Sequence, residues 1–211
     1  PSRASWEKAY HAGECNEVQS RFFEPRPVEE LYDAVSDPWE VNNLAGNPEY
    51  SEVLDRMRKD LDRKMIETAD SGFIPEGQLN RRAAGTTIYE YLRSGDFHGE
   101  EIRKAASLSV FGNRGDQAKM TALLQNPDGI VRYWGAAGIL RLGNPDNSTL
   151  EVVRKLADDE CLDTRSIAAE ILYRSGEKDL ALEIIKGVLG KGNTMEVVYA
   201  LNALDYMEEG N

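Results

Sequence analysis

The sequence predicts a mainly α-helical protein, in which a superhelix (solenoid) of stacked α-α hairpins follows a small α+β element at the N-terminal end. Three observations lead to this fold class. Segments of helical length, separated by short breaks, run from residue 78 onward. Two of them repeat one another at a fixed offset, whereas the front of the chain carries proline-bounded apolar pairs and turn motifs. An offset in the thirties indicates helical hairpins, because one hairpin cannot bury its own apolar face.

The α+β element is predicted from the residues before position 48. Apolar and aromatic pairs at 22–23 and 31–32 are bounded by prolines, a pattern typical of two short strands. A turn is expected at Asp37, because Pro38 fixes its own φ angle and the aspartate oxygen can accept a nearby backbone N–H. On these residues alone, the block is a pair of strands, a double turn and the start of a helix.

A long amphipathic helix is predicted next. Asn47 is expected at the N-cap position and Pro48 at the first helical position. Apolar side chains then recur at spacings of three and four as far as Met65, which predicts one buried face. We expect the pairs at 22–23 and 31–32 to pack on this face and to leave one strand edge open.

A connector is predicted after this helix, because residues 70–77 contain two glycines and a proline. The domain boundary is therefore placed after Gly77, which gives one domain at residues 1–77 and a second at 78–211. Phe73 and Ile74 are apolar within this polar segment, which indicates that they pin the connector against a neighbouring element.

The repeat is clearest between residues 131–143 and 164–176, which align at an offset of 33. The aligned positions share an arginine, an alanine, an aliphatic residue and a glycine, and weaker copies begin near Ile102 and Met195. An irregular helical bundle is the alternative. Small alanines allow close helix approach, so Ala136 and Ala169 are predicted to stack successive units.

Composition and isolated residues exclude several classes of function. A net charge of -12 argues against a nucleic-acid partner, which would require clustered Lys and Arg. Two cysteines suggest neither a disulfide framework nor a zinc site, and no apolar run reaches the length of a membrane span. His11 and His98 stand alone, and no glycine-rich phosphate loop is present. We therefore predict no catalytic, cofactor-binding or metal-ligating residue in this chain.

The stretch at 27–45 resembles the C-terminal signature of sulfatases. In that family a Pro-x-Glu-Glu-Leu-Tyr-Asp strand runs into an Asp-Pro-x-Glu-x-Asn-Asn-Leu-Ala turn and a closing helix, far downstream of the catalytic centre. The resemblance extends from the start of the chain to Gly77. The residues that carry it, in structural rather than catalytic positions, are Glu29, Glu30, Leu31, Tyr32, Asp33, Asp37, Pro38, Glu40, Asn42, Asn43, Leu44 and Ala45.

This resemblance implies that the chain is the C-terminal, non-catalytic part of a sulfuric ester hydrolase. Its partner would be the missing N-terminal catalytic domain, which in this family uses formylglycine and calcium and is often exported or periplasmic in bacteria. Pro1, Ser2 and Arg3 match a fragment of the formylglycine motif. However, Lys8 and Ala9 stand where that motif has Gly or Thr followed by Arg, so we treat the match as chance.

The repeats resemble HEAT repeats, in which Asp and Arg of neighbouring units commonly tie the stack together. The resemblance implies that Asp128, Arg132 and Arg165 help to stack successive units. This resemblance implies a helical-repeat module that binds another protein. Two other interpretations remain open. The chain can be a free-standing HEAT-repeat binding protein whose front segment only imitates a sulfatase, or the repeats can themselves form an enzyme site, as in some lyases.

Overall fold

The computed structural model describes residues 2–209, and this range contains helices, 3-10 turns and loops but no β-strand. The mainly α fold class is therefore confirmed. The chain divides into two compact units, Pro1–Arg63 and Lys64–Asn211, and the division falls inside a helix. It lies N-terminal to the predicted boundary after Gly77. Pro1, Gly210 and Asn211, which belong to the predicted domains, lie outside the described residues.

The first unit begins with short helices and ends in the predicted amphipathic helix. Asn47 caps a 3-10 turn by accepting a hydrogen bond from the Glu49 N–H (3.1 Å), and Pro48 occupies the first position of that turn, as predicted. The elements are α1 (Ser2–His11), α2 (Glu17–Ser20), the 3-10 turn Pro48–Tyr50 and α3 (Ser51–Thr68).

The predicted strands at 22–23 and 31–32 do not form, and this part of the prediction is wrong. Pro25 and Pro27 lack the N–H groups that a ladder needs. The N–H of Leu31 donates to the Asn43 side chain (3.0 Å) instead of to a strand. The residues at 22–23 pack with Trp6, at ring-centroid distances of 4.9 and 5.1 Å.

The prediction of a buried face along α3 is also wrong for its central residues. Leu54 is buried, but Met57 and Leu61 are 52% and 57% exposed. Leu31 and Leu54 are the buried hydrophobic residues of the part of this unit that the structure describes. The first unit therefore has a very small core.

The second unit is an ordered series of helices. They include the predicted repeat segments, and a left-handed glycine (φ 63° at Gly143, φ 95° at Gly176) follows each of the two clearest ones. The helices are α4 (Glu76–Arg82), α5 (Ile88–Tyr91), α6 (Gly99–Phe111), α7 (Gln117–Leu123), α8 (Gly129–Leu142), α9 (Asn147–Lys155), α10 (Leu162–Arg174), α11 (Lys178–Leu189) and α12 (Thr194–Glu209).

Alternate helices of this unit pack side by side. Helix α8 lies between α6 and α10, and α10 in turn contacts α12. Helices α7 and α11 pack against this row, and α9 contacts both α7 and α10. The fully buried apolar side chains at the centre include Met120, Ile139, Val153, Leu172 and Val188.

Two glycines bring α8 close to its neighbours. A Cβ atom at Gly138 would lie 3.1 Å from the Ser109 Cα, and one at Gly135 would lie 2.9 Å from the Met120 carbonyl oxygen. Both positions therefore depend on the absence of a side chain. The sequence predicted close helix approach only at the alanines.

Candidate functional site

The sulfatase-like stretch of the first unit is held together by one asparagine side chain. Asn43 Oδ1 accepts hydrogen bonds from the N–H groups of Leu31 and Ala45, both at 3.0 Å, and Asn43 Nδ2 donates to the Glu29 carbonyl oxygen (3.3 Å). The Leu44 N–H completes the contact by donating to the Leu31 carbonyl oxygen (2.7 Å). One amide thus joins the two halves of the motif and binds Leu31, which was predicted to lie in a strand.

The two aspartates of the motif organise the turn between these halves. Asp33 accepts hydrogen bonds from the Ser36 hydroxyl (2.8 Å) and the Val35 N–H (3.1 Å), and both lower the pKa of its carboxyl group. Asp37 accepts from the Asn42 N–H at 2.7 Å. Glu40 has a φ angle of 52°, a left-handed conformation in the turn that follows Pro38. These motif residues therefore fix a loop.

The remaining motif side chains form a surface. Glu29 pairs with Arg58 of α3, and this contact lowers the pKa of the glutamate. Partial burial and the nearby Glu30 raise the pKa of Tyr32. A cleft of about 730 Å³ lies beside them. Its lining combines basic, acidic and aromatic groups and includes Arg21, Arg26, Glu30, Tyr32, Trp39 and Asn42.

In the second unit, three carboxylates lie at the starts of successive helices of the packed row. We call Asp128 of the α8 N-cap, Asp163 of α10 and Glu196 of α12 the acidic row. All three side chains are buried or nearly buried, and Glu196 is 0% exposed. Buried carboxylates require hydrogen-bond or charge partners.

Helix α4 supplies partners to each carboxylate of the acidic row. Arg82 forms a two-pronged ion pair with Asp128 (2.6 and 3.0 Å), and Arg81 forms one with Glu196 (2.6 and 3.0 Å). Gln78 Nε2 donates to both Asp163 Oδ2 (3.0 Å) and Glu196 Oε1 (3.3 Å). The partner of Asp128 is therefore an arginine that follows the connector.

The predicted stacking arginines contact the segment that leads into α10. Arg132 forms a two-pronged ion pair with Asp159 (2.6 and 2.7 Å) and also donates to the carbonyl oxygens of Asn126 and Pro127. Arg165 donates to the carbonyl oxygen of Asp159. Each arginine therefore bonds the carbonyl oxygen six positions before it, at 126 and at 159 respectively.

The predicted stacking alanines lie inside the core of the second unit. Ala136 of α8 and Ala169 of α10 are both 0% exposed and belong to the same hydrophobic cluster. No room for a larger side chain is expected at such positions, because protein interiors are close-packed.

A pair of tyrosines closes one side of a cleft of about 300 Å³ next to the acidic row. The hydroxyl groups of Tyr133 and Tyr199 are 2.9 Å apart, and burial raises the pKa of both phenols. Tyr133 and Ser166 occupy the same position of the two clearest repeats. Asp163 also lines the cleft, and burial raises the pKa of its carboxyl group.

The described residues 2–209 show no group of three or more His, Cys, Asp or Glu side chains that can hold a metal ion. Burial raises the pKa of the Cys161 thiol to about 11, so this cysteine is a protonated core residue. No helix within the same range is both long and apolar enough to cross a membrane.

Two curated proteins from Formosa agariphila, each named ulvan-active sulfatase, match segments of this chain. One is 46% identical over 68 residues, which are 32% of this chain and 11% of that protein. The other is 49% identical over 35 residues, which are 17% of this chain and 7% of that protein. Part of this chain is related to a sulfatase. No family model and no solved structure matches it.

Sequence reasoning missed the residues that join α4 to the acidic row. Gln78, Arg81 and Arg82 follow the predicted connector and carried no signal of their own. Glu196 lies in the weaker copy of the repeat that begins near Met195, and it carried no signal of its own either. A usable signal is Asp163, because the offset of 33 aligns it with the buried Ile130 of the preceding repeat. An acid at a repeat position that holds a buried isoleucine in the neighbouring unit indicates a polar partner.

Proposed function

We propose that this chain is the C-terminal, non-catalytic part of a sulfatase-like sulfuric ester hydrolase. Its first unit would act as the closing subdomain of the catalytic domain, and its helical part as an interaction module. The observation that carries this proposal is the 46% identity over 68 residues to an ulvan-active sulfatase. The matched segment is 11% of that protein, so the chemistry of the whole enzyme belongs elsewhere in the parent.

The surface of the first unit supports a docking role. Val35 and Trp39 are 94% and 86% exposed, and Phe22 and Val28 are about half exposed. With only two buried hydrophobic residues in the described part, this unit resembles one side of a core that a partner completes. The proposed partner is the missing N-terminal catalytic domain, which would cover the face carrying Trp39.

For the second unit we propose a HEAT-like solenoid. Supporting this are the equivalent carbonyl bonds made by Arg132 and Arg165 and the left-handed glycines that end the corresponding helices. In this interpretation Ala136 and Ala169 are the close-approach positions of successive units. The boundary after residue 77, which separates the sulfatase-like segment from the repeats, remains part of the proposal.

The chemistry of the parent is also proposed by relation to the sulfatases. It would hydrolyse sulfate esters, with sulfate esters of carbohydrates as the substrate class, and would use formylglycine and calcium. The described residues of this chain do not fit a calcium site, because they contain no suitable cluster of ligands. The catalytic domain would therefore have to supply both groups.

The proposal is tested by reconstitution. The catalytic portion of the Formosa agariphila ulvan-active sulfatase, lacking its matched segment, is mixed with this chain, and binding is measured by calorimetry. We expect Trp39→Ser to weaken binding at least about tenfold, because interface tryptophans often dominate affinity. Tyr206→Ser, which changes an exposed aromatic residue on α12, is the matched control. Absence of binding, or equal loss in both variants, would contradict the docking role.

A free-standing HEAT-repeat protein-binding module is the alternative function. It is favoured by the fact that the sulfatase match covers only 32% of this chain. The gene sequence upstream of Pro1 separates the two. A Cys/Ser-x-Pro-Ser-Arg motif encoded there supports the sulfatase proposal, whereas a start codon next to Pro1 supports the binding module.

A further inference from the structure

Helix α4 and the residues before it are bound to the helices α8, α10 and α12 of the same unit, which we call the receptor helices, much as a peptide is bound to a receptor. The indole N–H of Trp134 donates to the Phe73 carbonyl oxygen (2.8 Å), and Asn193 Nδ2 donates to the Gly77 carbonyl oxygen (3.0 Å). Gly77 and Gln78 are buried, as is Ile74 before them. The side chains of Trp134 and Asn193 thus bind backbone carbonyl groups of this segment.

The acidic row binds the side chains of this segment. Each of the three acids comes from a different helix, and each has a partner on the single short helix α4. Two partners are arginines, whose planar guanidinium groups suit two-pronged pairing with carboxylates. The third is the amide of Gln78, which bridges Asp163 and Glu196.

A glycine is required where this segment comes closest to the receptor. A Cβ atom at Gly77 would overlap the Glu196 side chain and would lie 3.2 Å from the Glu196 backbone nitrogen and 3.3 Å from Asp163 Oδ2. The receptor therefore selects a segment with glycine at one position, glutamine next to it, and two arginines one turn later.

We propose that the acidic row is a recognition site for an arginine-bearing helical turn, and that residues 73–82 of this chain are its resident ligand. The partner that this surface fits is thus a basic, glycine-containing segment, and the site is filled from within the chain. A free segment of the same chemistry can bind only when the resident one is displaced. This inference goes beyond the proposed function and does not depend on the relation to sulfatases.

The first test uses trypsin on the intact chain, because the ligand carries its own cleavage sites at Arg81 and Arg82. Proteolysis of a bound segment follows the population of its opened state. We expect Glu196→Gln and Asp128→Asn to accelerate cleavage at these two sites at least about tenfold. Glu100→Gln, which removes the same charge from an exposed ion pair with Lys104, should leave the rate unchanged.

Cleavage after Arg141 of α8 serves as the internal control. Its rate should stay the same in the acid variants, because they release the ligand and leave the receptor helices folded. Equal acceleration at Arg141, or no acceleration at Arg81 and Arg82, would overturn the proposal, since the acids would then support the helices in general or hold nothing.

The second test supplies the ligand from outside. A fluorescent peptide of residues 71–84 is titrated into the Gly77→Leu chain, whose own segment can no longer seat against Glu196. We expect binding to this variant, binding at least about tenfold weaker to the unmodified chain, and no binding of a peptide in which both arginines are alanine. A Gly77→Leu chain with normal circular dichroism that fails to bind the peptide would refute the proposal.

Discussion

Arg132→Ala is the sharpest test of how the helices of the second unit are held together. The wild-type guanidinium group makes a two-pronged ion pair with Asp159 and two hydrogen bonds to carbonyl oxygens at 126 and 127. The Arg132 and Asp159 side chains are only 11% and 4% exposed. The substitution would therefore leave a carboxylate buried without its cation.

The expected loss of stability is about 3 kcal/mol, at the lower end of the range for breaking a buried pair. The lower end applies because Asp159 keeps a hydrogen bond from the Cys161 N–H (2.8 Å). For a domain of this size, such a loss lowers the midpoint of thermal unfolding by roughly 6 to 12 °C. Urea unfolding of the variant and of the wild type gives the free energy directly.

Two further variants serve as controls for this measurement. Lys104→Ala removes one partner of an exposed pair with Glu100 and should leave the unfolding curve unchanged. Arg132→Ala combined with Asp159→Ala should lose less than the sum of the two single changes, because both remove the same interaction. A loss below about 1 kcal/mol in Arg132→Ala, or strict additivity in the double variant, would refute a structural role. Normal stability with lost binding of a partner would make Arg132 a recognition residue.

Three further outcomes are expected. Ala136→Leu or Ala169→Leu should lower the free energy of unfolding by roughly 1 to 3 kcal/mol in urea titrations, because both sites are fully buried; a neutral result would show that the core has spare room. Burial raises the pKa of Asp163 in the folded state. The stability that this residue contributes is therefore present at low pH and is lost as the pH rises through that pKa. Asp163→Asn should therefore gain stability relative to wild type as pH rises from about 4, near the ordinary carboxyl pKa, to neutral, and a constant difference would contradict the raised pKa. The purified chain should not hydrolyse aryl sulfates with or without calcium, and turnover that persists through further purification would contradict the non-catalytic assignment.

The sequence predicted features whose causes are local. The cap at Asn47, the position of Pro48 and the breaks at Gly143 and Gly176 depend on residues within one turn of the chain, and each is present in the structure. The strands at 22–23 and 31–32 were predicted from apolar content and proline spacing. They fail because Asn43, twelve positions after Leu31, provides a side-chain partner that composition does not reveal.

The candidate site was harder to predict because its partners are far apart in sequence. Gln78 is 85 residues from Asp163 and 118 residues from Glu196. Each residue alone resembles an ordinary polar residue at a helix end. The close helix approach at Gly138 was not predicted either, because the neighbouring alanines offered a simpler explanation of tight packing.

The contacts between α4 and the acidic row also have a consequence for the order of folding. The segment with Gln78 and Arg81 leaves the ribosome before the helices that carry Asp163 and Glu196. Its contacts with Glu196 cannot form until α12 has been synthesised, so Arg81 lacks its carboxylate partner while more than a hundred residues are added. During that interval the nascent chain exposes both the basic turn and, as each helix forms, the acids that will receive it. Pairing between neighbouring nascent chains on one message would exchange this segment between copies, by the route that produces domain-swapped dimers.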